Sequence, residues 1–272
     1  MEAASEIQAY LRSDSEPPPK AKTRPGTHDA VLRLLESEER GRVLDLPAGE
    51  GALTIRLIAM GFEPVCADIE PATFKLKGIP CEKVDMEQPL PFESGSFDYI
   101  CCVEGIEHIR RPFEAIREFS RVLKDDGKLI ITSPNILRLT SRLIMLVCGN
   151  LELFSDFYKP PAPGVWDLDH HVQPFGYLQA RYIMAWAGLY PEQVTVNTVA
   201  TLNRIVHLPA YWALRLGWAL APRARRERKQ VRVTNSMELL AGRVMVLKAA
   251  KGAHPQGWQP QIVPPYNRVI AA

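Results

Sequence analysis

From residue 41 onward, short apolar runs of strand type alternate with stretches whose apolar positions recur every three or four residues. GRVLDL, EPVCADI, CEKVDME, SFDYICCV and GKLIITSPN read as strands, the third being the weakest. ALTIRLIAMG reads as a helix stopped by glycine, ATFKLKG as a short helical stretch, and PFEAIREFSRVL as a helix with Pro112 at its start. Ahead of them, THDAVLRLLESEER carries Val31, Leu32, Leu34 and Leu35 at helical spacing, with Thr27 as its cap and Gly41 as its stop. Such alternation calls for right-handed crossovers and a parallel sheet covered by helices on both faces. The expected fold is α/β: a Rossmann-like, doubly wound, mostly parallel seven-stranded sheet with helical cap insertions. Ligands of such a sheet bind beyond the carboxyl ends of its strands.

After Asn135 the rhythm changes. ILRLTSRLIMLVCGNLELF reads as a helix and a lid-like stretch, and the loop YKPPAPGVWDLDHHVQPF and the helix GYLQARYIMAWAGL follow. PEQVTVNTV and GRVMVLKAA supply the sixth and seventh strands, separated by an insertion of about forty residues, far longer than an ordinary connection. The expected organisation is an N-terminal segment and Pro-rich linker over 1–26 and a main domain over 27–250. Residues 136–190 and 200–240 are insertions of that domain on its substrate side, and 251–272 form a tail.

Composition changes this picture little. The 272 residues are 46% hydrophobic and 24% charged, as in ordinary globular domains, and the net charge of +2 gives no global argument for nucleic acid. The five cysteines show no CxxC pairing, and Cys101 and Cys102 sit inside an apolar run, so buried reduced thiols are expected. MEAASEIQAYLRSD lacks the basic start and apolar centre of an export signal, which points to a cytoplasmic protein.

The candidate chemistry begins at RVLDLPAGEG. Gly49 and Gly51 allow a close ligand approach, but the glycine triplet of a pyrophosphate-binding loop is absent, and Pro47 has no amide hydrogen to donate. Asp68 ends the second strand, where a carboxylate can accept hydrogen bonds from a ribose diol. Asp85 ends the third, suited to an adenine amine while Met86 packs on the ring. Asp45 lies beside the loop, suited to a cationic amino group. Acids at successive strand ends suggest a ligand with an adenosine and a charged amino-acid tail.

The series VLDLPAGEG, VCADIEP, VDMEQPLPFESGSFDYICCVEGIEHIRRP and FSRVLKDDGKLIITSPN resembles the class I S-adenosylmethionine-dependent methyltransferases, in particular the type 11, ubiquinone-biosynthesis O-methyltransferase-like branch. The resemblance covers about residues 40 to 135. It implies S-adenosyl-L-methionine as cofactor, with the Pro47–Gly51 loop against its methionine part, Asp68 on the ribose, Asp85 and Met86 on the adenine, and Val103 and Glu104 on the methionine side. Pro47-Ala48 departs from the Gly-Cys that the family often carries.

A sulfonium is already an activated methyl donor, so the protein must align a nucleophile with it and exclude water. A phenol or alcohol nucleophile also benefits from a base. His108 in VEGIEHI resembles the family's Glu-His pair and is one candidate; a loop-ordering histidine is the alternative. His170 and His171, in WDLDHHVQPF with Asp167 and Asp169, are the others. Consecutive histidines without a second spaced ligand set argue against a metal, so none is expected. Tyr158 and Trp166 are possible pocket walls.

LNRIVHLPAYWALRLGWALAP, followed by Arg223, Arg225, Arg226, Arg228 and Lys229, carries too many charged and polar residues to cross a membrane. It reads first as a helical cap over the acceptor pocket. The second reading is peripheral contact with the inner membrane face through 202–229 or a lipid-linked acceptor; nucleic acid is not expected. The function expected is methyl transfer to a small-molecule acceptor, lipid- or glycan-linked acceptors included, at oxygen. The competing readings are an NAD-dependent oxidoreductase and a catalytically silent cofactor-binding partner subunit.

Overall fold

The computed structural model describes residues 18–151, 171–222, 230–253 and 259–265. In the parallel half, the elements are α1 (Thr27–Leu35), β1 (Arg42–Asp45), α2 (Ala52–Ala59), β2 (Glu63–Asp68), β3 (Cys81–Lys83), β4 (Phe97–Cys102), α3 (Pro112–Val122) and β5 (Leu123–Pro134). Then come α4 (Leu139–Cys148), α5 (Tyr177–Trp186), β6 (Leu189–Val196), α6 (Thr201–Leu220), α7 (Gln230–Thr234), α8 (Met237–Ala241), β7 (Val244–Lys251) and β8 (Gln261–Ile262). The strands form one sheet in the order β3-β2-β1-β4-β5-β7-β6-β8. β1 to β5 run parallel, β7 runs antiparallel to both β5 and β6, and β8 pairs parallel with β6. The sheet is the expected mostly parallel one, with an eighth short strand drawn from the tail.

Period-two alternation along each strand builds two core layers. Leu44, Ile100, Cys102 and Leu129 face one side, where Phe119 of α3 and Ile183 and Met184 of α5 cover them. Val43, Tyr99, Cys101 and Ile130 face the other, under Val31 and Leu35 of α1 and Leu53 and Leu57 of α2. The adjacent thiols of Cys101 and Cys102 therefore enter opposite layers, both buried and both free.

Two local expectations are corrected. ATFKLKG is not a helix: only a 3-10 turn forms over Pro71–Thr73. The chain then leaves helical geometry at Phe74, the Lys75 amide donates to the Glu50 carbonyl at 3.2 Å, and Leu76 packs beside Ile55. Thr27 is not the cap of α1. Gly26 holds that position at φ 81°, and the Thr27 hydroxyl donates back to the Arg24 carbonyl at 2.7 Å.

Candidate functional site

The switch in strand order between β1 and β4 opens the sheet at the carboxyl ends of its central strands. A cavity of about 400 Å³ lies there, lined by Asp45, Pro47, Gly49, Asp68, Asp85, Met86, Val103, Glu104, His108 and His171, among others. The glycine loop is held from both neighbouring strands. Leu46 N donates to Cys101 O at 3.0 Å and Ala48 N to Ala67 O at 2.9 Å. Gly49, at φ 54°, has open space where a side chain would stand, so its backbone presents a bare face.

Gly51 has a different role from the one expected. It does not line the cavity; it starts α2 at φ 93°, and a Cβ there would lie 2.9 Å from Leu76. Its glycine character serves a packed turn.

The Asp68 carboxylate clamps this loop. Oδ2 accepts from Gly49 N at 2.8 Å and Oδ1 from Glu70 N at 2.9 Å, with the residue 7% exposed. Asp85, just beyond β3, accepts from Glu87 N at 2.8 Å. Asp45 is buried at the end of β1. Thr54 Oγ1 donates to its Oδ2 at 2.6 Å, whereas Oδ1 has no partner among the described residues. Burial pushes this carboxyl up to about 7, with the Asp68 charge adding to the shift and the Thr54 hydrogen bond opposing it. A cation placed beside Asp45 would restore its charged form.

After β4 the backbone turns sharply. Glu104 adopts φ 50°, rare for a residue with a side chain. Thr132 of β5 holds it there: its hydroxyl accepts from Glu104 N at 2.8 Å and donates to Glu104 Oε1 at 3.0 Å. Burial raises the Glu104 carboxyl to about 7. Gly105 packs so closely on Pro47 that a Cβ would come within 2.6 Å of its Cδ, which locks the two loops together.

Another part of the cavity wall joins residues that are remote in sequence. Val172 N and Gln173 N donate to the Glu107 carbonyl at 2.9 and 3.3 Å, and Gln173 Nε2 donates to Ile109 O at 2.8 Å. These bonds bring the His171 ring to 5.0 Å from the His108 ring, centre to centre. One carboxylate oxygen of Glu107 and one ring nitrogen from each histidine all lie within 4.8 Å of one another. Glu107 is fully buried, and neither carboxylate oxygen has a hydrogen-bond partner among the described residues. Burial, with the Glu104 charge added, pushes it well above the usual carboxylate range. This trio can hold a divalent cation, against the expectation of no metal. His171 lies too far from His108 along the chain for ligand spacing to show it. His170, Asp167, Asp169, Tyr158 and Trp166 lie outside the described residues.

Two parts of the wall are missing from the sequence-based set. Lys20, Ala21, Lys22 and Thr23, in the segment expected to be only a linker, line the cavity. Lys20 N donates to Glu50 Oε2 at 2.8 Å, and Lys75 Nζ meets the same oxygen at 2.7 Å. His28 of α1 also lines it; burial, helped by nearby Arg56, lowers its pKa to about 4, leaving a neutral ring. Neither carried a motif. Conversely, no described residue of 200–240 lines the cavity, so the insertion's described part is not the expected cap.

The comparisons with known proteins agree with this geometry. A family model described as a methyltransferase domain matches residues 21–205. Ubiquinone biosynthesis O-methyltransferase of Xanthomonas oryzae pv. oryzae (strain PXO99A) is 29% identical over 144 residues, covering 46% of this chain and 59% of that protein. The enzyme of the same name from Xanthomonas axonopodis pv. citri (strain 306) is 28% identical over the same shares. The chain thus spans about three fifths of the length of these curated relatives. A crystal structure of a SAM-dependent methyltransferase from Archaeoglobus fulgidus superposes with a TM-score of 0.52 at 17% identity, covering 83% of this chain and 95% of that one. The chain belongs to the methyltransferase-domain family and has the fold of the S-adenosylmethionine-dependent methyltransferases.

Proposed function

We propose that the chain transfers a methyl group from S-adenosylmethionine to a hydroxyl oxygen of a small-molecule acceptor, lipid-linked acceptors included. The observation that carries this reading is one cavity with a loop-and-acid wall on one part of its lining and a Glu107–His108–His171 cluster on another. The cofactor fits the first part. Asp45 retains an unpartnered buried oxygen for an ammonium group, and Gly49 offers bare backbone. Asp68 would take the ribose hydroxyls, Asp85 and Met86 the adenine, and Pro47 and Glu104 would flank the methionine part. Bound there, S-adenosylmethionine supplies a methyl group on a positively charged sulfur.

The chain's own residues then have two tasks. The buried Asp45 and the half-buried Glu104 complement the cofactor's positive charge. A histidine of the cluster accepts the acceptor's hydroxyl proton as the oxygen forms its bond to carbon. Oxygen is favoured over other acceptor atoms because two imidazoles line the cavity and can take a hydroxyl proton, and because the similar curated relatives are named O-methyltransferases.

The mutual approach of Glu107, His108 and His171 favours a second reading of that part, in which the trio binds a divalent cation that acidifies the acceptor hydroxyl. Calorimetric titration with S-adenosylmethionine and with NAD tests the cofactor assignment: micromolar binding of the first alone is expected. Binding of NAD alone would replace the reading with hydride transfer. Transfer of labelled methyl into metabolite extracts, with and without chelator, then tests catalysis and separates base from metal. Cofactor binding without transfer to any fraction would leave the silent partner subunit.

A further inference from the structure

We propose that α6 lays its outward face on a bilayer surface containing anionic phospholipid. The helix has 20 residues and is about 30 Å long at the usual rise. Leu202, Ile205, Val206, Trp212, Leu216 and Leu220 are between 57% and 77% exposed. At 100° per residue they fall within a sector of about 120°, one stripe along the helix. The opposite face is used: Tyr211, Leu214 and Trp218 close a groove against Val231 and Met237 of the neighbouring short helices. An apolar stripe of this length, turned away from its own protein, needs a covering surface.

Charge selects the surface. The chain has no Asp or Glu between Glu192 and Glu227, and α6 is followed directly by PRARRERK. At 100° per residue Arg204 and Arg215 fall towards the groove side, Arg215 lining the groove and donating to the Tyr211 hydroxyl at 3.2 Å, so the charge that would reach phosphates is that of the basic run after the helix. Trp212 is of the type that sits at headgroup depth. The stripe carries aliphatic and aromatic side chains without the polar groups that fix register between two proteins, which favours a fluid partner. No helix among the described residues is long and apolar enough to cross a membrane, so the geometry points to a helix lying in the interface.

A second observation agrees. Leu146 and Val147, at the end of α4, are each 80% exposed. Arg142 ties α4 to the same short helices, donating to Asn235 Oδ1 at 2.7 Å and to the Thr234 carbonyl. Two unpartnered apolar helices are thus braced on one support.

The test is co-sedimentation of the whole chain with phosphatidylcholine vesicles, with or without phosphatidylglycerol. Binding to the phosphatidylglycerol vesicles at low salt, falling as salt is raised, is expected. Trp212→Glu with Leu216→Glu should lower the bound-to-free ratio at least tenfold, and Arg223→Gln with Arg225→Gln and Arg226→Gln by several-fold. Affinity for S-adenosylmethionine should stay unchanged in both, showing that they are folded. The proposal is overturned if the wild-type chain ignores anionic vesicles at low salt, or if the glutamate pair binds as well as wild type. It is also overturned if the stripe instead forms a dimer that Leu216→Glu dissociates and that excludes vesicles.

Discussion

The parallel half of the molecule and the half that follows Asn135 build their surfaces in different ways. In the first, the acids of the cavity stand at or just beyond strand ends: Asp45 closes β1, Asp68 closes β2, and Glu104 follows β4. Strand register holds those ends level, so a short local motif is enough to place a side chain. In the second, placement depends on partners far away in sequence. His171 reaches the site because Val172 and Gln173 bond to the Glu107 carbonyl, while α6, equally remote, lines no part of the cavity. In the proposed reading, cofactor chemistry falls to strand ends, and acceptor chemistry to the segment after β4 joined by a loop that had to be carried there.

The sharpest way to separate the two parts of the cavity wall is to disable the histidines. His108→Ala or His171→Ala should lower kcat by about 10²- to 10⁴-fold, the range for losing a general base, with the cofactor dissociation constant unchanged in calorimetry. A raised dissociation constant with normal kcat would merge the two parts into one. At the strand end, Asp68→Ala should weaken cofactor binding by about 1–3 kcal/mol, since it removes both a charged acceptor and the clamp on Gly49. Unchanged binding would remove Asp68 from the site.

The second half can be broken through its packing instead. Gly242, between α8 and β7, leaves only 2.4 Å between a new Cβ and Val196. Gly242→Ala should therefore cost about 1–3 kcal/mol in chemical denaturation, as overpacking does. A variant as stable as wild type would mean that β6 and α8 can part without loss.

A further expected effect is on pH. Asp45 is raised from 3.8 to about 7 in the folded chain, so the native state holds a proton that the unfolded chain releases. Its contribution to cofactor-free stability is fully present below pH 4 and lost as pH rises to 7. Cofactor affinity should move oppositely, rising towards pH 7 as the charged carboxylate becomes available to an ammonium group. Asp45→Asn should make both slopes shallower, the raised Glu104 and Glu107 carboxyls supplying the remainder; slopes equal to those of the wild type would remove Asp45 as a source.

Much of the parallel half was legible because its signals are local. Apolar runs of strand length, glycine stops and Pro112 at a helix start each act within a few residues, and the sheet follows from their alternation. ATFKLKG misled because its apolar residues are spent on Gly51 and Ile55 instead of on a helix face. Gly51 looked like a ligand-facing glycine because a positive φ leaves the same trace whether a ligand or Leu76 stands opposite. The metal-capable trio was hidden because its members come from separate segments. The N-terminal strap was hidden because a proline-rich stretch reads the same whether it hangs free or, as at Lys20, bonds to Glu50 in the cavity wall.

By itself, the sequence determined the alternating elements, the open edge of the sheet and the acids on that edge, since hydrophobic period and strand-end position are properties of neighbouring residues. Only the tertiary structure decided what meets those acids. It set Thr132 against Glu104, brought His171 beside His108, placed residues 20–23 in the cavity wall and turned one face of α6 outward. Each of those placements depends on the packing of segments distant along the chain, and such packing leaves no periodic trace in either one alone.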